Sequence, residues 1–272
     1  METALRLVAI VLLTAFLIPA LQSQNLQSSL EEYPSPLIRE RQLVTIGNTT
    51  EIWELRWKTP PKPACEPSDV SLTCPCTGFA YGEGGDLMLV RIRNGEEIDR
   101  LELTESFRGA DVNLGDIAIL QRWEPNTETD FKASERDDFL DIVARRPVVK
   151  IMNFADYDHD GRRTEFFLQT DTLPCGKRLG VVVGVSTTSP TLHIFGTAKN
   201  PAQALRLQEH IWADLNRAKA AIEVVDWPCG DHGSDVETTV QIQLTNKGID
   251  GVRRAYACPR YANQRPLREE PL

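Results

Sequence analysis

The chain has 272 residues and a formal net charge of −9, with an isoelectric point near 5.1. An acidic surface of this kind argues against nucleic acid and anionic membranes as partners and suits cation binding. The length is ample for a buried core in one large domain or two small ones, and the six cysteines form an even set.

Residues 1–23 read as a signal peptide. After Arg6, the run Leu7 to Leu21 is almost wholly apolar and is interrupted by Pro19. It is short for a transmembrane helix, which needs about 20 residues, and fits a signal h-region. No later stretch is apolar enough to span a bilayer, so no membrane insertion is expected after signal cleavage. The expected localisation is secreted, extracellular or periplasmic. In such a compartment Cys65, Cys74, Cys76, Cys175, Cys229 and Cys258 read as disulfide partners. Cys229 and Cys258 flank a predicted hairpin and are expected to pair, and Cys65 is expected to close a local loop with Cys74 or Cys76. The alternative, zinc on Cys65, Cys74 and Cys76, lacks the paired C-x-x-C spacing of such sites.

Residues 24–45 are polar, carry proline and show no clear period, so a flexible N-terminal arm is expected. Asn48-Thr49-Thr50 is a glycosylation sequon, relevant in a eukaryotic chain. Trp53, Leu55 and Trp57 then alternate with Glu54, Arg56 and Lys58, which predicts a strand with one buried and one wet face. Phe79 to Gly85 predicts a bent strand ending in a turn. Strands follow over 87–93 and 98–103, joined by Asn94-Gly95, whose residue types suit the positive φ angles of a type I′ turn. A further strand is predicted over 117–123. Ser134, with Glu135 and Asp137 behind it, is read as the cap of a helix reaching 146.

Val148 to Phe154 predicts a buried strand entering an aspartate-rich loop, and Glu165 to Gln169 a strand leaving it. Further strands are predicted over 180–186 and 191–195. Asn200-Pro201 with Gln203 reads as a capping box opening a helix to about 219, with Leu207, Ile211 and Leu215 on its apolar face and Trp212 beside them. Strands over 222–225, 240–244 and 252–258 complete the pattern, with a turn at Asn246-Lys247-Gly248. The expected fold is mainly β or α+β: antiparallel sheets with two helices, about 134–146 and 201–219. Residues 46–259 read as a single β-rich domain, with a subdivision near 125–147 left open. Residues 260–272 read as a disordered tail.

The segment Asp156-Tyr157-Asp158-His159-Asp160-Gly161-Arg162-Arg163-Thr164-Glu165 carries the chemistry. Alternating carboxylates repel unless a counter-charge joins them, and Ca²⁺ takes about six to eight oxygens from such a loop. Gly161, at the sixth place, permits a sharp turn. The candidate ligands are Asp156, Asp158, Asp160, the Arg162 backbone carbonyl, and one of Thr164 and Glu165. In a strand these last two point to opposite faces, so only one is expected to meet the ion. The loop is not an EF-hand, because its twelfth position is Phe167 and its flanks read as strands. It is similar instead to the D-x-D-x-D-G calcium loops of FG-GAP (integrin α-type) repeats, which lie between strands of β-propeller blades. Those repeats place an acid at the ninth position, where this chain has Thr164, with Glu165 one step later. The resemblance implies a calcium site and does not extend to a whole propeller, since only one such loop is present. The plainer reading is a surface turn in which each aspartate bonds its own backbone.

Enzyme signals are weak. Gly184-Val185-Ser186 begins a nucleophile-elbow pattern, but Thr188 replaces its closing glycine. His159, His193, His210 and His232 match no metal-protease spacing. Asp226, Asp231, His232, Ser234 and Asp235 form a polar cluster around Cys229. The functional expectation is a secreted, disulfide-containing calcium-binding module with a structural role or an extracellular protein or glycan as partner. The alternative is an extracellular hydrolase acting on a polysaccharide or another polymer, whose paired carboxylates need not be close in sequence.

Overall fold

A computed structural model describes residues 37–64, 79, 81–108, 117–126, 130, 138–173, 176–245 and 248–272. Among them antiparallel strands dominate, as the alternating patterns require, and the helices are two short segments. The signal segment, Ser134, Glu135, Asp137, Cys65, Cys74, Cys76, Cys175 and the Asn246-Lys247 turn lie outside the described residues. None of the described helices is long and apolar enough to cross a membrane.

The first sheet orders β1 (Ile38–Ile46), β2 (Thr49–Trp57), β5 (Leu87–Arg93) and β6 (Glu96–Glu102) side by side. Asn94 and Gly95 turn β5 into β6 at φ 55° and 84°, as the dipeptide predicts. Trp53, Leu55 and Trp57 are buried. Glu54, predicted to face water, is buried too, because Arg41 and Arg56 from the same face clamp its carboxylate. A small sheet of β3 (Lys62–Pro63), β4 (Gly82–Gly85) and β7 (Ala118–Gln121) stands beside it.

The central sheet is built on β9 (Lys177–Gly184). β8 (Glu165–Leu173) pairs along one edge, while β10 (His193–Ile194) and β11 (Leu207–Gln208) pair with opposite ends of the other. Val181 and Val183 enter one core with Trp53, Phe166 and Leu168, while Val182 between them enters a second core with Trp212 and Ile242. Alternation along one strand thus feeds two cores, which explains why Val181-Val182-Val183 has no polar interruption. Helix α2 (Glu209–Arg217) covers the second face with Ile211, Trp212 and Leu215. The other helix, α1 (Phe139–Val143), is a single turn and a half within the predicted 134–146 segment.

The last sheet orders β12 (Ile222–Trp227), β13 (Val236–Thr245), β14 (Gly248–Ala257) and β15 (Arg268–Pro271). The disulfide Cys229–Cys258 joins the loop after β12 to the end of β14, the pairing expected from the hairpin.

Four further expectations are corrected. Residues 38–45 are not a loose arm but most of β1, fixed by distant partners: Glu40 accepts the Ile151 and Met152 amides at 2.6 and 3.1 Å, and Arg39 pairs with Glu83 at 2.6 Å. Within the tail, Arg268–Pro271 pairs with β14, where Arg254 meets Glu269 at 2.6 Å. The second helix starts at 209 rather than 201. Leu207 and Gln208 hydrogen-bond to β9 as strand, and Asn200 belongs to a turn whose amide bonds Thr197 Oγ1. Residues 148–154 form no continuous strand. They bridge Trp123 at Val148, and their amides go to the Arg122 carbonyl and the Glu40 carboxylate instead of a neighbouring ladder.

Candidate metal centre

The aspartate loop is pinned at both ends before any ion is considered. Ala155 and Glu165 exchange backbone hydrogen bonds, so the loop leaves and returns to one place. Phe154 and Phe166, one residue outside each end, stack edge-on at 5.7 Å, and Trp53 meets Phe154 edge-on at 5.4 Å. Inside the loop, His159 and Gly161 take positive φ (56° and 88°), the turn that glycine at the sixth place was expected to allow.

This closure gathers three carboxylates. One oxygen from each of Asp156, Asp158 and Glu165 lies within 4.8 Å of the others. Oxygens bound to one Ca²⁺ at about 2.3–2.6 Å stand up to about 5 Å apart across it, so the spacing fits a shared hard cation. Glu165 is wholly buried. Its Oε2 accepts the Tyr157 amide at 2.9 Å and its Oε1 accepts the Thr164 hydroxyl at 2.7 Å. Of the two residues left open by sequence, Glu165 therefore turns its carboxylate to the cluster, and Thr164 supports that carboxylate and lies 2.9 Å from the Val185 carbonyl. Asp156 Oδ2 accepts the Gly161 amide at 3.1 Å, while Asp156 Oδ1 is buried without a hydrogen-bond partner among the described residues.

Asp160 stands apart from this group. Its oxygens accept the Arg162 amide at 2.8 Å and the Thr187 amide at 2.6 Å, tying the loop to the turn after β9. Asp158 Oδ1 accepts the Asp160 amide at 3.1 Å. The Arg162 side of the loop is half-buried, with its amide committed to Asp160. Gly184 lies directly across from Glu165, and a side chain there would strike the Thr164 carbonyl, so this glycine makes the close approach of β8 and β9 possible.

The electrostatics follow from crowding. Burial, joined by the charges of Asp160 and Asp156, pushes the Asp158 carboxyl up to about 6. Burial, joined by Asp158 and Asp160, pushes Glu165 up to about 8. A carboxyl whose folded pKa is raised binds protons more tightly folded than unfolded. Its contribution to stability is complete below the unfolded value, 4.5 for glutamate, and is lost as pH rises through about 8. The metal-free chain is therefore expected to lose stability steadily between about pH 5 and pH 8, and saturating calcium to flatten that slope. Thermal melts across this range in chelator and in calcium check it. A metal-free slope of the opposite sign would contradict the crowded-carboxylate description.

Other sequence candidates are structurally committed. Ser186 Oγ accepts the Ser189 amide and shares a bond with Thr188, both at 3.0 Å, and among the described residues no histidine bonds it. His159, His193 and His210 each bond a backbone carbonyl. Around Cys229, Asp226 accepts Gln208 and pairs with Arg253, while Asp231 pairs with Lys177. Sequence reading missed the Tyr81–Asp130–Arg146 cluster, in which Tyr81 at φ 56° donates to buried Asp130 at 2.8 Å and Arg146 pairs with the same carboxylate. Residues 49 and 65 positions apart carry no spacing signal.

The fold and site thus define a β-rich, disulfide-bearing chain with a buried acidic cluster able to hold a metal ion. Against family models, curated proteins and solved structures, the chain finds no match.

Proposed function

We propose that this chain is an exported calcium-binding module in which the ion, held by Asp156, Asp158 and Glu165, locks the loop between Ala155 and β8 and so serves a structural or extracellular binding role. The observation that carries the reading is Asp156 Oδ1, a buried carboxylate oxygen with no hydrogen-bond partner among the described residues, beside two further carboxylates. Burying such an atom without a partner is costly, and a cation removes that cost together with the mutual repulsion. Calcium is preferred because the donors are all oxygen, which disfavours softer metals, and because magnesium keeps several waters rather than entering protein cages. Asp160, the Arg162 carbonyl and Thr164 complete the candidate set. The disulfide supports an oxidising compartment. The FG-GAP likeness belongs to the same proposal, supported by β8 leaving the loop as a strand.

An ion that binds only the folded chain stabilises it by about 2.7 kcal/mol at a free concentration 100 times its Kd. For a chain of this size that raises the melting temperature by roughly 5–10 °C. Melting in calcium against chelator, with Asp158→Asn alongside, tests the site. The parent should shift and the variant should not. No shift in the parent, or an equal shift in the variant, removes calcium from this loop, and an equal shift with magnesium changes the ion.

A further inference from the structure

A cavity of about 190 Å³ opens between β7, β8, β9 and α2, on the side of the aspartate loop to which Tyr157 turns. Ile119 and Leu120 of β7 and Phe167 and Leu168 of β8 supply apolar walls where the protein's separate cores meet. The polar groups at the same cavity are unevenly satisfied. Arg91, by contrast, bonds tightly, reaching Glu51 at 2.8 and 3.0 Å and the Pro190 carbonyl at 2.7 Å. Arg178, which lines the cavity, has its partners far off, with Gln121 Oε1 at 3.4 Å, Glu209 at 3.7 Å and Glu124 at 3.9 Å. A guanidinium carries five N–H donors, and charged hydrogen bonds normally close to about 2.7–2.9 Å, so none of its donors makes a bond that short among the described residues. Lys150, also at the cavity, pairs with no carboxylate among the described residues. Tyr157 lines it too; it is only 9% exposed, and among the described residues its hydroxyl has no hydrogen-bond partner.

We infer that this cavity is a binding site for a small organic monocarboxylate with an apolar body, its carboxylate on Arg178 and the Tyr157 hydroxyl and its body against Ile119, Leu120, Phe167 and Leu168. Arg178 presents the planar fork that matches a carboxylate with two parallel hydrogen bonds. In a chain of net charge −9, the cavity lining sets two cations, Lys150 and Arg178, against one anion, Glu209. Glu124, 3.9 Å from Arg178, balances part of this charge from outside the lining, so the cavity favours an anion through the donors of Arg178 and Lys150 rather than through net charge, and Glu209 at the same rim disfavours a second negative charge on it. The volume sets the size. A cavity of about 150 Å³ accepts benzene, so this one takes an acid of roughly six to eight carbons.

Saturation-transfer NMR titration of the full chain with benzoate, benzyl alcohol and benzylamine tests the site. Benzoate should bind with a Kd of roughly 0.1–1 mM, and the neutral and cationic analogues should bind at least about tenfold more weakly. Arg178→Gln should weaken benzoate about tenfold or more while leaving the melting temperature of the free chain within a few degrees. Ala213→Phe, which fills the cavity from α2, should abolish binding whether or not Arg178→Gln folds. The inference is overturned by silence of benzoate up to about 10 mM. It is equally overturned by equal binding of benzylamine, or by undiminished benzoate binding in Ala213→Phe.

Discussion

Glu165→Gln is expected to reverse sign with calcium: more stable than the parent in chelator at pH 8, less stable than the parent in calcium. The amide fits the existing bonds. Its oxygen accepts the Tyr157 amide, its nitrogen donates to Thr164 Oγ1, and the Thr164 proton turns to the Val185 carbonyl already 2.9 Å away. In chelator the substitution removes a buried charge crowded by Asp158, whose cost is reflected in a carboxyl raised to about 8. Each pKa unit corresponds to about 1.4 kcal/mol, so the gain at pH 8 is a few kcal/mol. In calcium the same substitution removes an anionic ligand and with it the ion-dependent stabilisation, about 4 kcal/mol where calcium stands near 1,000 times the parent's Kd. Chemical denaturation of both proteins under both conditions reads the crossing. Glu165→Gln less stable than the parent in both would mean that Glu165 is held by its hydrogen bonds alone.

Trp53→Ala is expected to cost about 3–5 kcal/mol, the range for deleting a large aromatic from a packed core. The indole is fully buried, donates to Glu51 at 3.1 Å, and lies 5.5 Å beneath the Arg91 guanidinium. It also holds Phe154, which in turn holds Phe166, and these two rings stand one residue outside the two ends of the aspartate loop. The loss should therefore appear twice, as a lower denaturation midpoint and as weaker calcium binding. Trp53→Phe should recover much of both. A destabilised Trp53→Ala chain with unchanged calcium affinity would show that the aromatic column does not set the loop's geometry.

What could be read in the sequence was whatever rests on neighbours in the chain. β5 occupies Leu87–Arg93, the predicted span, because its apolar run and the Asn94-Gly95 turn are both local. The Cys229–Cys258 bond and the burial of Trp53, Trp57 and Trp212 follow the same logic. What escaped was held by distant side chains. Ile38–Ile46 shows no period because Arg39 and Glu40, polar in sequence, spend their charge on Glu83 and on the amides of Ile151 and Met152. Residues 201–208 carry a sound helix-start signal, yet backbone pairing of Leu207 and Gln208 with β9 overrides it. In the site, Asp156 and Asp158 were legible from alternation. The roles of Thr164 and Glu165 were not, because they depend on the Ala155–Glu165 bridge that folds the loop back on itself.

The most direct test of the proposed calcium site is isothermal titration of calcium into the chelator-treated full chain near neutral pH, beside Asp156→Ala. The site predicts one saturable event per chain with release of protons, since Glu165 must give up the proton its crowded setting favours. It also predicts loss of that event in the variant, which lacks the unpartnered oxygen. A flat titration of the parent, or an isotherm that survives Asp156→Ala unchanged, would contradict it.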